Sequence, residues 1–225
     1  MRQTKKKGLF ITLEGVDGSG KSTQAVRLAC KLEASGHEVV RLREPGGTPL
    51  SEKIRALLLD PSNVEMCPEC ELMLYEAARA QLVKQVIEPA CRRGAIVICD
   101  RFFDSTYAYQ AGGRRIAEDI VEKANELGSC ATVPDVTILL DLPVELSYRR
   151  ATADRADRME AEGQQFQQRV RDSYLHLASL YPQRVHVVSA SGKPDEVFSR
   201  ICKTLSDMFS ELGIVEEETD SDGCD

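Results

Sequence analysis

The sequence predicts a three-layer α/β fold, in which a five-stranded parallel sheet is flanked by helices on both faces. Short apolar runs alternate along the chain with longer segments whose apolar residues recur at helical spacing. The short runs are almost continuously apolar, as expected of strands that are buried on both faces. A glycine-rich turn follows the first run, and ligands of such folds bind beyond the carboxyl ends of the strands.

Five apolar runs are predicted to form the strands. They span residues 9–13, 38–42, 95–99, 136–140 and 184–188. The intervening segments are predicted to be helical, at residues 23–32, 51–59, 68–92 (with Pro89 near its end), up to about 128, from 144, at 164–180 and at 194–212. Because the chain has no internal repeat and no linker, we expect residues 1–212 to form a single domain.

The negative charge of the chain is concentrated at its C-terminus. The formal net charge is −7, and residues 216–225 contribute six acidic and no basic side chains, so the remainder is nearly neutral. Residues 213–225 are therefore predicted to be an acidic, disordered tail. A nearly neutral body argues against a nucleic-acid partner. No apolar run is long enough to span a membrane, so we expect a cytoplasmic protein.

Two cysteines, Cys67 and Cys70, have the spacing of a metal or redox pair. A zinc site needs two further ligands, and the sequence contains no second C-x-x-C and no H-x-x-x-H. The favoured interpretation is a loop that ends at the start of a helix.

The glycine-rich turn after the first strand fits the phosphate-binding pattern G-x-x-x-x-G-K-[ST] at every fixed position. Its backbone N–H groups and the following helix N-terminus form a site for phosphate groups. Lys21 is expected to reach the β- and γ-phosphates, and Ser22 to hold Mg²⁺. The residues expected to bind ATP are Gly15, Val16, Asp17, Gly18, Ser19, Gly20, Lys21, Ser22 and Thr23.

Charged residues follow three other predicted strands. They are the pairs Arg43–Glu44 and Asp100–Arg101, and the single residue Asp141. Since parallel strands end at one edge of the sheet, these groups are expected to surround the triphosphate. Asp100 is a second candidate ligand for Mg²⁺.

Three motifs follow one another in a characteristic order. They are EGVDGSGKST at 14–23, REPGGT at 43–48, and DRF at 100–102 followed by STYAYQ at 105–110. In sequence, spacing and order they resemble the thymidylate kinase family, over about residues 9–209. The resemblance implies a P-loop kinase fold, a homodimer, and transfer of the γ-phosphoryl group of ATP to dTMP with Mg²⁺.

The resemblance also implies roles for single residues. Asp17 would bond the 3′-hydroxyl of dTMP, and Arg43 and Arg101 would grip its phosphate. Tyr75 would stack on thymine, where most members have Phe, and Arg79 would bond the O4 atom of the base.

Three further positions of the family motif lie near the nucleoside. Ser105 and Thr106 would face the pyrimidine edge, and Tyr109 would pack under C2′.

A phosphomonoester has a second pKa of about 6, so the attacking oxygen is already anionic at neutral pH. No general base is needed, and the catalytic groups are cations such as Lys21 and Arg101.

Residues 149–163 match the family's lid. The phosphate loop has Gly18 where eukaryotic members have arginine, so the chain resembles the bacterial type, in which a lid arginine supplies the missing charge. Arg155 is the favoured candidate, and Arg149 and Arg150 are the alternatives.

The residues themselves leave two competing functions open. Another nucleotide or deoxynucleoside kinase would share the phosphate loop and the Asp100–Arg101 pair. A GTP-dependent switch would also use the loop, but the guanine-reading sequence N-K-x-D is absent.

Overall fold

The computed structural model describes residues 8–151, 158–159 and 162–214. Their centre is one parallel sheet of five strands, in the order β2–β3–β1–β4–β5. The strands are β1 (Phe10–Glu14), β2 (Val39–Arg43), β3 (Ile96–Asp100), β4 (Val136–Asp141) and β5 (Val185–Ser189). The predicted fold class is confirmed.

Every strand ends one residue later than predicted, and four of the five end on a charged residue. The register places Asp100 opposite both Leu13 and Arg43. A residue with a polar side chain at the carboxyl edge can keep its backbone hydrogen bonds in the sheet while its side chain faces the site. The polarity of these residues therefore does not indicate that they belong to the strands.

Helices cover both faces of the sheet. They are α1 (Lys21–Ala34), α2 (Pro49–Leu59), α3 (Pro68–Leu82), α4 (Glu88–Arg93), α5 (Phe103–Thr106), α6 (Glu118–Gly128), α7 (Val144–Ala151), α8 (Gln164–Leu180) and α9 (Pro194–Met208). In the part of the chain that the structure describes, no helix is long and apolar enough to cross a membrane.

Two predicted helices differ in detail. The long one becomes α3 and α4, joined through a π-helical turn at Val83–Ile87. Pro89 follows this turn, and proline has no N–H to donate and crowds the carbonyl four residues earlier, which favours a wider turn there. The last α-helix ends at Met208 and is followed by a 3₁₀ turn at Ser210–Leu212.

The core is divided by the sheet. One cluster lies between the sheet and helices α1 and α9, and it includes Ile11, Leu28 and Ile201. On the opposite face, Phe10 and Phe102 pack edge to face with ring centroids 5.0 Å apart. Burial on both faces explains why the strands are almost continuously apolar.

Candidate active site

The phosphate loop connects β1 to α1. Gly15 has a φ of 138°, and a Cβ there would lie 2.5 Å from the Leu140 carbonyl oxygen, so only glycine fits. Gly20 precedes α1 with a φ of 93°, and no side chain caps the helix there. The first N–H groups of α1 are thus directed at the loop, where they can donate to a phosphate.

Lys21 lies under this loop. Its Nζ donates to the carbonyl oxygens of Gly15 and Val16, at 3.0 and 2.9 Å. Burial, and then the nearby charge of Arg101, lower the pKa of Lys21 to about 8. An anionic phosphate would offset both effects, so Lys21 is suited to a phosphate ligand.

Ser22 and Asp100 meet at the first turn of α1. The Ser22 hydroxyl donates to Asp100 Oδ2 at 2.5 Å. A hydroxyl beside a carboxylate provides hard oxygen ligands of the kind Mg²⁺ uses together with substrate phosphates. The residues present therefore fit the predicted ion. No group of three or more His, Cys, Asp or Glu side chains within the described ranges could hold a metal alone.

Arg101 follows β3 in a left-handed conformation, with a φ of 72°. Its Nη1 donates to the Gly15 carbonyl oxygen at 2.9 Å, and its Nη2 donates to Asp17 and to the Tyr109 hydroxyl. This backbone conformation is costly for a residue other than glycine, and it is held by the surrounding contacts. Arg101 is thereby fixed against the phosphate loop.

Asp17 is held by two residues predicted to share its site. It pairs with Arg101 and accepts a 2.7 Å hydrogen bond from the Tyr109 hydroxyl. Burial works against ionisation, but the charges of Arg101 and Lys21 outweigh it and lower the pKa of Asp17. The structure thus brings Asp17, Arg101 and Tyr109 together in one hydrogen-bonded cluster.

Glu14, which the sequence analysis did not single out, supports Arg101 from below. Its carboxylate accepts hydrogen bonds from the Phe102 N–H at 2.6 Å, the Ser105 hydroxyl at 2.6 Å and the Tyr174 hydroxyl at 2.9 Å. Burial, and then the charge of Asp104, raise the pKa of Glu14 to about 7. The one available signal was an acid at the end of an otherwise apolar strand.

A cavity of about 420 Å³ opens beside the loop. Its walls contain fourteen of the predicted site residues, namely Asp17, Gly18, Gly20, Lys21, Ser22, Thr23, Arg43, Tyr75, Arg79, Asp100, Arg101, Ser105, Thr106 and Tyr109. Gly15, Val16 and Ser19 belong to the loop but do not line the cavity. The walls also include residues without a predicted role, among them Glu44, Arg55, Gln110 and Met159.

Arg79 forms one wall of the cavity and is only 2% exposed. Its Nε donates to Glu44 at 2.8 Å, its Nη1 to Glu76 at 2.5 Å, and its Nη2 to the Thr106 hydroxyl at 2.8 Å. Burial raises the pKa of Glu44 to about 7 despite this pairing. The Arg79 guanidinium is held rigidly, because its hydrogen bonds to several acceptors fix the orientation of its plane.

Arg43 lies at the mouth of the cavity. Its Nη1 donates to the Pro45 carbonyl oxygen and its Nη2 to Glu52, both at 2.9 Å. Arg55, on α2, donates to the same Pro45 oxygen at 2.9 Å. Arg55 is a fourth cavity-lining arginine, beside Arg43, Arg79 and Arg101, and it was not predicted because a helical arginine outside the motifs carries no distinguishing pattern.

Tyr75 and Thr106 line the cavity, as Ser105 does. The Ser105 hydroxyl, however, lies 2.7 Å from the Tyr174 hydroxyl as well as bonding Glu14, so it is part of the network beneath Arg101. Thr106 is bonded to Arg79.

The predicted lid is described in part. Arg149 and Arg150 are exposed near the end of α7, whereas Arg155 lies outside the described residues. Arg158 Nε donates to the Leu58 carbonyl oxygen at 2.8 Å, and Met159 lines the cavity. Arg158 therefore contacts α2, and Met159 contacts the cavity.

Cys67 and Cys70 are exposed free thiols at the start of α3, away from the cavity lining. In the described portion of the chain they have no third metal-ligating neighbour. Their position agrees with a loop that ends at a helix start.

Comparison with known proteins identifies relatives over most of the chain. The family model for thymidylate kinase matches residues 13–201. A thymidylate kinase of Trichlorobacter lovleyi is 46% identical over 200 residues, which are 86% of this chain and 94% of that protein. One of Pseudomonas putida is 50% identical over 185 residues, 82% of this chain and 88% of that protein. A crystal structure of thymidylate kinase from Ehrlichia chaffeensis is similar with a TM-score of 0.74 and 34% identity, covering 88% of this chain and 98% of that one.

Proposed function

The chain belongs to the thymidylate kinase family and transfers the γ-phosphoryl group of ATP to dTMP, and we propose which of its residues carry this reaction. Residues 15–23 bind the phosphates of ATP through backbone N–H groups and Lys21. Ser22 and Asp100 hold Mg²⁺. When bound, this ion neutralises charge on the β- and γ-phosphates.

The acceptor occupies the other end of the cavity. Tyr75 stacks on thymine, and Arg79 donates to its O4. The amide of Gln110, also in the cavity wall, accepts from the ring N3–H. A donor beside an acceptor is complementary to thymine, and their buried positions make an unpaired base costly. Ser105 and Thr106 border this end of the site.

The sugar and phosphate of dTMP lie between the base and the loop. Asp17 bonds the 3′-hydroxyl, and Tyr109 packs under C2′, where an added 2′-hydroxyl would clash. Arg43 and Arg101 hold the phosphate with forked hydrogen bonds. Arg55 contributes a further cation at the cavity mouth.

The reaction is an in-line displacement. An anionic oxygen of dTMP attacks the γ-phosphorus, the new O–P bond gives dTDP, and the bond to the β-phosphate oxygen breaks with its electron pair leaving on ADP. Lys21 and Arg101 stabilise the charge on the transferring group. Glu14 keeps Arg101 in position through Phe102 and Ser105.

A lid arginine completes the charge stabilisation, since Gly18 provides none. Arg155 is the preferred residue, with Arg149 and Arg150 as alternatives. The lid spans about residues 149–163 of a single domain at 1–212, and it also excludes water that would hydrolyse ATP. Residues 213–225 are an acidic tail.

We further propose a cytoplasmic homodimer. Exposed apolar side chains occur on three neighbouring helices, at Leu50 and Leu57 of α2, Met73 of α3, and Ile120 and Leu127 of α6. Each of the two pairs is seven residues apart, which places its members on one helix face. Such a surface supports an interface.

The observation that carries this assignment is the single cavity that joins the phosphate loop to Tyr75 and Arg79. A coupled assay of ADP release tests it with dTMP, dUMP, dCMP, UMP and thymidine as acceptors. We expect the highest kcat/KM with dTMP. A preference for thymidine or UMP would overturn the assigned acceptor, and tight guanine-nucleotide binding with slow hydrolysis and no transfer would favour a switch.

A further inference from the structure

Glu71 is a fully buried carboxylate next to the proposed base site. It lies on α3, one helical turn before Tyr75, so both residues project from the same side of the helix. Its Oε1 accepts from Gln110 Nε2 at 2.8 Å and from Arg114 Nε at 3.0 Å. Its Oε2 accepts from Arg114 Nη2 at 3.0 Å and lies 2.6 Å from Arg158 Nη2.

Glu71 is ionised at neutral pH. Burial alone would raise its pKa, but hydrogen bonds from Arg114 and Gln110, together with the charges of Arg114 and Arg158, outweigh burial and lower the pKa of Glu71. An ionised carboxylate can accept hydrogen bonds but cannot donate them.

This chemistry determines which way the Gln110 amide faces. The amide has a donating NH₂ group and an accepting oxygen, and only the NH₂ group can bond an ionised carboxylate. Gln110 is 1% exposed and lines the cavity. With its NH₂ group turned to Glu71, the amide has its oxygen available for a ligand in the cavity.

We propose that Glu71 is a positioning residue that sets base selectivity, by holding the Gln110 amide so that its oxygen faces the base. The inference rests on the proposed function, in which the base lies between Tyr75, Arg79 and Gln110. Arg79 and Gln110 then present a donor and an acceptor in fixed order. Thymine and uracil offer the complementary O4 and N3–H.

Cytosine offers the opposite pattern, with an amino donor at position 4 and an acceptor at N3. Against Arg79 and Gln110 it would place donor against donor and acceptor against acceptor. If the Gln110 amide could turn over, its NH₂ group would bond N3 of cytosine and one of the two mismatches would disappear. Selection against aminopyrimidines thus depends on Glu71, which never touches the base.

The variant Glu71→Gln tests this dependence. A glutamine at this position can donate as well as accept, so either orientation of the Gln110 amide becomes possible. We expect the ratio of kcat/KM for dTMP to kcat/KM for dCMP to fall about 10-fold or more. The ratio for dTMP to dUMP should stay the same, since both bases present N3–H and O4. The KM for ATP should also stay the same.

A double-mutant cycle separates positioning from a general structural role. In a Gln110→Leu background there is no amide to orient, so Glu71→Gln should no longer change the dTMP-to-dCMP ratio. Arg114→Lys is the matched control, because it gives up the forked pair with Glu71 but keeps a cation beside the carboxylate and the bond to Gln110, and its ratio should match wild type. If Glu71→Gln does not fold, Glu71→Asp keeps the charge and withdraws it from Gln110, with the same expected direction.

The outcomes distinguish two failures. An unchanged ratio in Glu71→Gln, or an equal change in the Gln110→Leu background, would overturn the role of Glu71. An unchanged ratio in Gln110→Leu itself would instead show that the base does not lie against Gln110, and would contradict the proposed position of dTMP.

Discussion

The Ser22 hydroxyl donates to the Asp100 carboxylate at 2.5 Å, and this bond joins the first turn of α1 to the end of β3. The two residues are separated by 78 positions in sequence. Their contact brings together the hydroxyl and carboxylate that we assign to Mg²⁺, at the junction of the phosphate loop and the acceptor site.

Replacing Asp100 should therefore change the metal requirement. Asp100→Asn keeps the side-chain shape but removes the charge, so half-maximal activity should need about 10- to 100-fold more Mg²⁺. Activity measured against Mg²⁺ concentration checks this. Ser22→Thr retains a hydroxyl and is the control, with a requirement close to wild type. If Asp100→Asn needs no more Mg²⁺ than wild type for half-maximal activity, Asp100 is not a ligand of the ion.

Lys21 should matter for transfer far more than for folding. Lys21→Met retains the apolar stem but loses the charge at the β- and γ-phosphates, so kcat should fall by about 10² or more. Steady-state rates and a thermal melt, run beside the exposed control Lys123→Met, make the comparison. If Lys21→Met keeps more than about a tenth of the wild-type kcat, the assignment is wrong.

The lid cation is tested with three single substitutions. If Arg155 supplies the charge, Arg155→Ala should lower kcat by about 10³ or more while both KM values change little. Arg149→Ala and Arg150→Ala are assayed alongside. Collapse of kcat in one of these instead would transfer the role to that residue, and near wild-type rates in all three would contradict a lid arginine.

The phosphate loop and strand-end residues could be predicted because local sequence determines their geometry. A glycine pattern between a strand and a helix specifies Gly15, Lys21 and Ser22 without knowledge of the rest of the chain. Parallel strands must end at one edge, which places Asp100 and Arg101 beside the loop.

The hydrogen bonds that hold the site residues in position could not be predicted in this way. Glu14 and Tyr174 are hydrogen-bonded although they are 160 positions apart. Glu71 and Gln110 meet only because α3 packs beside the π-helical segment Tyr107–Gly113. Such pairs depend on tertiary packing, and a lone glutamate or glutamine on a helix resembles any solvated residue in sequence.

The exposed apolar side chains on α2, α3 and α6 predict that the protein forms a homodimer through this surface. Met73→Glu combined with Leu57→Glu would bury two charges in the proposed interface, which is unfavourable without partners, so the dimer should dissociate. Light scattering after size-exclusion chromatography gives the mass. Val26→Glu, on the exposed side of α1, is the control and should leave the dimer intact. A dimer that persists in the double variant would place the interface elsewhere.

We propose that thymine lies between the Arg79 guanidinium and Tyr75, and substitution of Arg79 tests this position. Arg79→Ala is a poor probe, because it would leave Glu44 and Glu76 as buried, unpaired acids at a cost of about 3–5 kcal/mol. Arg79→Lys keeps a charge for these acids but removes the planar fork that we assign to the O4 atom of thymine.

The most direct measurement is a calorimetric titration of dTMP, and separately of a non-hydrolysable ATP analogue, into wild type and Arg79→Lys. We expect the affinity of Arg79→Lys for dTMP to be about 10-fold or more lower than that of wild type, because a buried hydrogen bond to the base is lost, while its affinity for the analogue is unchanged. Equal losses for both ligands, or full retention of dTMP affinity, would contradict it.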